Sequence, residues 1–236
     1  MIDLGQADFK TYFEVGGSYF SQNNYEAAIP FFLKSIELKK NNGDAHYNLG
    51  ESYLYIDSIE SALKYSKNAI ELYDNKSYKS DAAKMVGIIY DKTNDKENAL
   101  KYYELANKLD PNNFNNLKVL LDNYLKYNNS KSNEILSQIY NLDPTEPNIF
   151  NELVNIYKEY NKNEILISFF KTKLSEKNKN IVDGNLYLYL GRIYFDIDKK
   201  ISKIYLIKAK ETFSLLFEKD HMVFELIDDL VKKIDK

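Results

Sequence analysis

Six tyrosines mark this chain at nearly even intervals. Tyr19, Tyr53, Tyr90, Tyr124, Tyr157 and Tyr194 are separated by 34, 37, 34, 33 and 37 residues. A period near 34 means one small unit copied end to end, and a unit that short cannot bury its own apolar face. Stacking against its neighbours is the only way for it to fold, so the architecture follows from the repeat.

The third copy shows the internal pattern best. Val86, Gly87, Ile89 and Tyr90 are followed by Ala99, Tyr103, Ala106 and Pro111. Apolar and small residues recur at steps of three and four, the helical period. Thr93-Asn94-Asp95-Lys96 interrupts that period with turn-forming residues, and Pro111 ends the second stretch. The unit therefore reads as a hairpin of two helices. The first copy repeats it with Tyr12, Val15, Gly16, Tyr19, Ala28 and Phe32, and the second with His46, Leu49, Gly50, Tyr53, Ala62 and Ala69. In the last three copies the first helix persists, as Leu120-Leu121-x-x-Tyr124, Leu153-Val154-x-x-Tyr157 and Leu190-Gly191-x-x-Tyr194. Their second helices lose the alanines. Leu121 and Val154 stand where glycine is expected, which should alter the approach of neighbouring helices.

An aromatic, then Leu-Gly, Tyr, Ala, an aromatic and a closing Pro is the pattern of the tetratricopeptide repeat, and this chain resembles that family over roughly residues 9–217. The match is strong in the first three copies and weaker afterwards. The resemblance implies an all-α fold: a right-handed superhelical α-solenoid of about six helix hairpins, forming one domain over 1–236. The expected units are about 9–42, 43–79, 80–113, 114–146, 147–183 and 184–217. Three-residue insertions around 75–78 and 177–180 are expected to lengthen loops. From 220 to 234 an amphipathic segment, with Val223, Leu226, Ile227, Leu230, Val231 and Ile234 on one face, is expected to cap the array.

Composition narrows the function. The net charge is −3, and division at residue 118 leaves 14 Lys+Arg against 17 Asp+Glu, then 18 against 18. Neither half carries the basic footprint of a nucleic-acid binder. There is no cysteine, which excludes disulfides, thiolate zinc sites and catalytic thiols. No apolar run reaches the ~18 residues of a membrane helix and no signal peptide is evident, so a cytoplasmic protein without a membrane partner is expected. Of 32 basic residues only Arg192 is arginine, while asparagine occurs 27 times, often at turns.

No constellation for catalysis is visible. His46 sits at the aromatic position of the second copy without a helix-spaced partner and reads as a packing residue, while His221 reads as surface. Gly16-Gly17-Ser18 lies inside a helix and cradles no phosphate. The expectation is a non-enzyme with no cofactor and no metal. The resemblance instead implies a protein-interaction scaffold or adaptor, gripping a peptide or helix of a partner in the groove lined by first helices. Carried onto this sequence, the groove residues are Phe13, Glu14, Phe20, Tyr47, Asn48, Glu51, Tyr55, Met85, Ile88 and Arg192. Family members that hold acidic chaperone tails use a carboxylate clamp of lysines, asparagines and an arginine. Asn48 matches that clamp, but Phe13, Gly17, Asp81 and Met85 do not, so clamp binding is not expected. A secretion or assembly chaperone for an apolar partner, and a self-assembling structural component, stand as alternatives.

Overall fold

The computed structural model describes residues 7–175 and 180–236, which form thirteen α-helices and no strand. They are α1 (Phe9–Ser21), α2 (Tyr25–Leu38), α3 (Gly43–Tyr55), α4 (Ile59–Leu72), α5 (Lys76–Lys92), α6 (Lys96–Leu109) and α7 (Phe114–Lys126), followed by α8 (Ser132–Leu142), α9 (Pro147–Glu159), α10 (Asn163–Lys173), α11 (Ile181–Tyr194), α12 (Lys199–Phe213) and α13 (Met222–Ile234). The chain divides into two compact units, Met1–Asn123 and Tyr124–Lys236, with the division falling within α7.

The repeating tyrosine does two things. Its carbonyl anchors the turn inside each hairpin. Asn24 N donates to Tyr19 O at 3.0 Å, Ser58 N to Tyr53 O at 2.9 Å, Asp95 N to Tyr90 O at 2.9 Å, Asn129 N to Tyr124 O at 2.8 Å and Lys162 N to Tyr157 O at 2.8 Å. This six-to-one bond closes the helix end only if the residue before the donor takes a left-handed conformation. Four residues after each tyrosine that residue is Asn23, Asp57, Asn94, Asn128 or Asn161, with φ between 54° and 62°. Asparagine and aspartate accept this region better than other side chains because they bond locally to the backbone. Four of the 27 asparagines are thus placed where a turn requires them. Tyr194 departs from the rule: Asp198 N donates to Tyr194 O at 2.7 Å, and Asp198 is extended at φ −150°.

The tyrosine ring then stacks across its hairpin. Tyr19 meets Phe31 at 5.3 Å, Tyr53 meets Tyr65 at 5.6 Å, Tyr90 meets Tyr102 at 5.7 Å and Tyr194 meets Tyr205 at 5.6 Å. Such offset pairs contribute about 0.5–1.5 kcal/mol each beyond area burial. The next hairpin is tied on by lysine: Lys67 Nζ donates to Tyr90 Oη at 2.7 Å, and Lys171 Nζ to Tyr194 Oη at 3.0 Å.

Glycine sets how closely the paired helices approach. A Cβ on Gly50 would lie 2.5 Å from Ser66 Oγ and 3.0 Å from Ser66 N, and one on Gly87 would lie 2.5 Å from the Tyr103 ring. Where Val154 replaces the glycine, α9 and α10 pack less closely than α3–α4 or α5–α6 do.

Two expectations need correction. The insertion around 75–78 does not lengthen a loop. Asn75 caps Ser77 N and Tyr78 N, and the added residues become an extra turn of α5, which has 17 residues against 13 in α1 and α3. The second insertion, 177–180, lies mainly outside the described residues. In the terminal helix, Phe224 and Ile227 are buried against Leu188, Leu206, Ala209 and Phe213, with Val223, Leu230, Val231 and Ile234 packed around them. Leu226, assigned to that face, is instead 45% exposed. Lys203 bonds Asp235 at 2.6 Å, and Lys210 pairs with Asp228, which fastens α13 to α12.

Candidate functional site

In unit 1 the first helices α1, α3 and α5 carry nine of the ten residues expected to face a groove. Residues four apart on a helix share a face, so Tyr47, Glu51 and Tyr55 line one side of α3, with Asp44 and Asn48 beside them. Their surroundings differ along the helix. At its N-terminal end a cavity of about 340 Å³ is lined by Phe13, Asp44, Tyr47, Asn48, Tyr73, Tyr78 and Asp81. Tyr73 Oη donates to Asp44 Oδ1 at 2.9 Å, and the Tyr73 and Tyr78 rings lie 5.6 Å apart. At the other end Tyr55, 55% exposed, stacks on Tyr25 at 4.2 Å, and the Phe20 ring lies 5.2 Å from Tyr25 and 6.0 Å from Tyr55. The three rings form one cluster, half-buried at Phe20 and Tyr25 and exposed at Tyr55.

Electrostatics along this wall are acidic. Burial raises the Glu51 carboxyl above its ordinary range, and among the described residues it forms no salt bridge. The Glu51 charge, with some burial, raises the Tyr55 phenol in turn. Tyr47 is pushed far up by burial first, then by the Glu51 and Asp81 carboxylates. Tyr73 moves the same way through burial and its bond to Asp44. These phenols stay protonated, so the wall's charge is set by carboxylates. Asp81 is partly offset by Lys84, whose Nζ lies 3.0 Å away on the same helix.

The expected residues do not all share one surface. Phe13 lines the cavity while leaning on Phe32 at 5.8 Å. Glu14, one residue later, lies on another face of α1, against a cavity of about 450 Å³ with Thr11, Val15, Ser18, Tyr19 and Gln22. Met85 is 4% exposed and packs with Ala62 and Ile89 behind the wall, whereas Ile88 is 40% exposed. Asp44, Tyr73, Tyr78 and Asp81 are additions to the expected set. Tyr73 and Tyr78 sit in the linker and extra turn, where the repeat pattern offers no register. The insertion before the third copy was the one signal that could have flagged them.

Arg192 belongs to unit 2. Its Nη1 donates to Asn151 Oδ1 at 2.5 Å, and its guanidinium lies 5.0 Å from the Tyr189 ring centre. Tyr189 Oη donates to Pro147 O at 2.9 Å and Asn185 to Thr145 O at 3.0 Å. Here the first-helix face is engaged in bonds between the α9 segment and α11. The two histidines lie apart from this wall. His46 is buried, with Nε2 3.0 Å from Lys40 O and its ring 5.7 Å from Tyr65, and burial lowers its pKa. That is the packing role expected of it. His221 is exposed as expected, stacks on Phe217 at 4.2 Å, and accepts from Val223 N through Nδ1 at 3.3 Å. Among the described residues no three His, Cys, Asp or Glu side chains could hold a metal ion, and no helix is long and apolar enough to cross a membrane.

Comparison with known proteins bears on the repeat and the fold. A family model described as TPR repeat matches residues 16–55, and one described as tetratricopeptide repeat matches 43–76 and 85–113. Anaphase-promoting complex subunit 3 of Schizosaccharomyces pombe is 27% identical over 199 residues, covering 78% of this chain. The chain spans 29% of that relative's length. One crystal structure of MamA protein superposes with a TM-score of 0.55 at 18% identity, covering 69% of this chain and 88% of that one. A second MamA structure gives 0.53 at 16% identity, covering 79% and 96%. At those identities the likeness is one of fold.

Proposed function

We propose that this chain, whose residues 16–76 and 85–113 match tetratricopeptide-repeat models, is a non-catalytic scaffold holding a peptide or helix of a partner on the first-helix wall of unit 1. The observation that carries this reading is the Phe20–Tyr25–Tyr55 cluster. Tyr55, an exposed ring stacked on the half-buried Tyr25 and flanked by the half-buried Phe20, supplies contact area at low entropic cost. The relative's name makes it a subunit of a complex, which suits a scaffold. A peptide library selected against the full chain tests the proposal. Selected peptides should lose at least tenfold in affinity on Tyr55→Ala plus Ile88→Ala, with helical content retained. Equal affinity for wild type and the double variant would refute it. Met85→Ala is unsuitable as a probe, because Met85 holds the core rather than the surface.

A second reading, a self-assembling component, has its own observation. In unit 2, Leu215, Leu216, Met222 and Leu226 are 62%, 42%, 77% and 45% exposed. If they form a homotypic contact, molar mass in solution rises with concentration and Met222→Lys plus Leu226→Lys returns it to that of one chain. A mass independent of concentration in the wild type removes this reading.

A further inference from the structure

The cavity at the N-terminal end of α3 has a chemistry more specific than a scaffold requires. Four of its seven lining residues are aromatic, two are carboxylates, one is an amide, and none is basic. Lys84, which meets Asp81, is not part of the lining. Asp44 forms no salt bridge among the described residues. It is held by Tyr73 Oη at 2.9 Å, which aims the carboxylate without neutralising it. We propose that this cavity is a subsite for one cationic side chain, lysine or arginine, of an extended partner peptide. The proposal rests on the reading of the α1–α3–α5 wall as a partner-binding surface and names what part of it selects for.

The alternatives fail on physical grounds. An acidic side chain would meet Asp44 and Asp81 with no basic lining residue to offset them. An apolar side chain would take the Asp44 carboxylate from water without supplying a charge or a donor. A cation satisfies both halves of the lining, since ring faces attract positive charge and the carboxylate accepts its hydrogen bonds. The phenols of Tyr47 and Tyr73 stay protonated, so their rings remain neutral, and their oxygens can accept hydrogen bonds from a cation. At about 340 Å³ the space sits at the small end of ligand clefts, which suits one long side chain. The site also explains the extra turn of α5. Tyr78, 57% exposed, is placed by it opposite Tyr73, where a repeat of ordinary length has no residue.

The test uses the full chain at low ionic strength, with N-acetyl-arginine methylamide and N-acetyl-lysine methylamide as probes. The citrulline, norleucine and glutamate analogues serve as controls. Binding is followed by perturbation of backbone amide resonances. The cationic probes should bind with Kd on the order of 1 mM and perturb residues around Asp44, Tyr47, Tyr73 and Tyr78, while the controls do not. Asp44→Asn, a surface change of nearly equal shape, should weaken them about tenfold, and Tyr78→Ala should weaken them without altering the melt. Citrulline binding as tightly as arginine, full affinity in Asp44→Asn, or no perturbation of the wild type would overturn the proposal. The two levels separate cleanly. Selected peptides that need Tyr55 but bind Asp44→Asn undiminished sink the subsite and leave the scaffold. Probes that bind as stated while no peptide depends on Tyr55 or Ile88 leave the subsite and sink the scaffold reading.

Discussion

Substituting alanine for glycine should have opposite signs at two positions 33 residues apart, because the same methyl group meets open space at one and a helix backbone at the other. A helical glycine replaced by alanine gains about 0.5–1 kcal/mol from reduced backbone entropy in the unfolded chain. At Gly17 a Cβ would find nothing within 4 Å, so Gly17→Ala should realise that whole gain. At Gly50 it would lie 2.5 Å from Ser66 Oγ, 3.0 Å from Ser66 N and 3.4 Å from Ala62 O. The hydroxyl can rotate, but the amide nitrogen and the carbonyl belong to the backbone of α4 and cannot yield without moving the helix. Overpacking of this kind costs about 1–3 kcal/mol, and the propensity gain offsets less than half of its upper range. The net expectation for Gly50→Ala is a loss of about 1–2 kcal/mol, and a separation between the two variants of about 2–3 kcal/mol. Urea unfolding followed by far-ultraviolet circular dichroism reads this directly. With a slope of roughly 2 kcal/mol per molar, the midpoints should differ by about 1 M. A cycle with Ser66→Ala isolates the cause. The Ser66 hydroxyl is buried without a hydrogen-bond partner, so its removal alone should be near neutral. In the Gly50→Ala background the same removal relieves the closest contact and should recover part of the loss. Gly50→Ala as stable as wild type, or a Ser66→Ala change with no coupling to it, would refute the close-approach argument.

Asn94, at φ 60°, should tolerate glycine within about 0.5 kcal/mol but lose about 1–2 kcal/mol on Asn94→Val, read from the same urea midpoints. Asp95 accepts Asn98 N at 3.2 Å as the cap of α6, and Asp95→Ala should cost about 1 kcal/mol. His46 gives a pH signature. Burial lowers its folded pKa below the ordinary 6.5, so as pH falls beneath 6.5 the unfolded chain takes up the proton first. Stability should therefore be unaffected by this group above 6.5 and decline below it, and the decline should be absent in His46→Gln. Phe32, fully buried against Ala28 and Leu49, should cost about 3–5 kcal/mol as Phe32→Ala, measured by thermal or urea melts.

Sequence determined the helices here, because a repeat works by making each unit solve the same packing problem. The tyrosine period fixed the hairpins, and the asparagine or aspartate four residues on fixed their turns, through a backbone bond any single copy can make alone. The apolar face of the last helix was largely legible for the same reason, since helical periodicity is local. What tertiary structure decided is which side of each wall a residue occupies. Met85 and Ile88 are three apart and similarly apolar, yet one is buried on Ala62 and the other faces water, because the neighbouring hairpin covers only part of α5. Glu14 and Phe13 are adjacent in the chain and belong to different cavities. The acidic aromatic pocket was beyond the sequence altogether. It joins Asp44 to Tyr73 across 29 residues and depends on an insertion becoming helix instead of loop, a choice made by the Asn75 cap and the packing of α5.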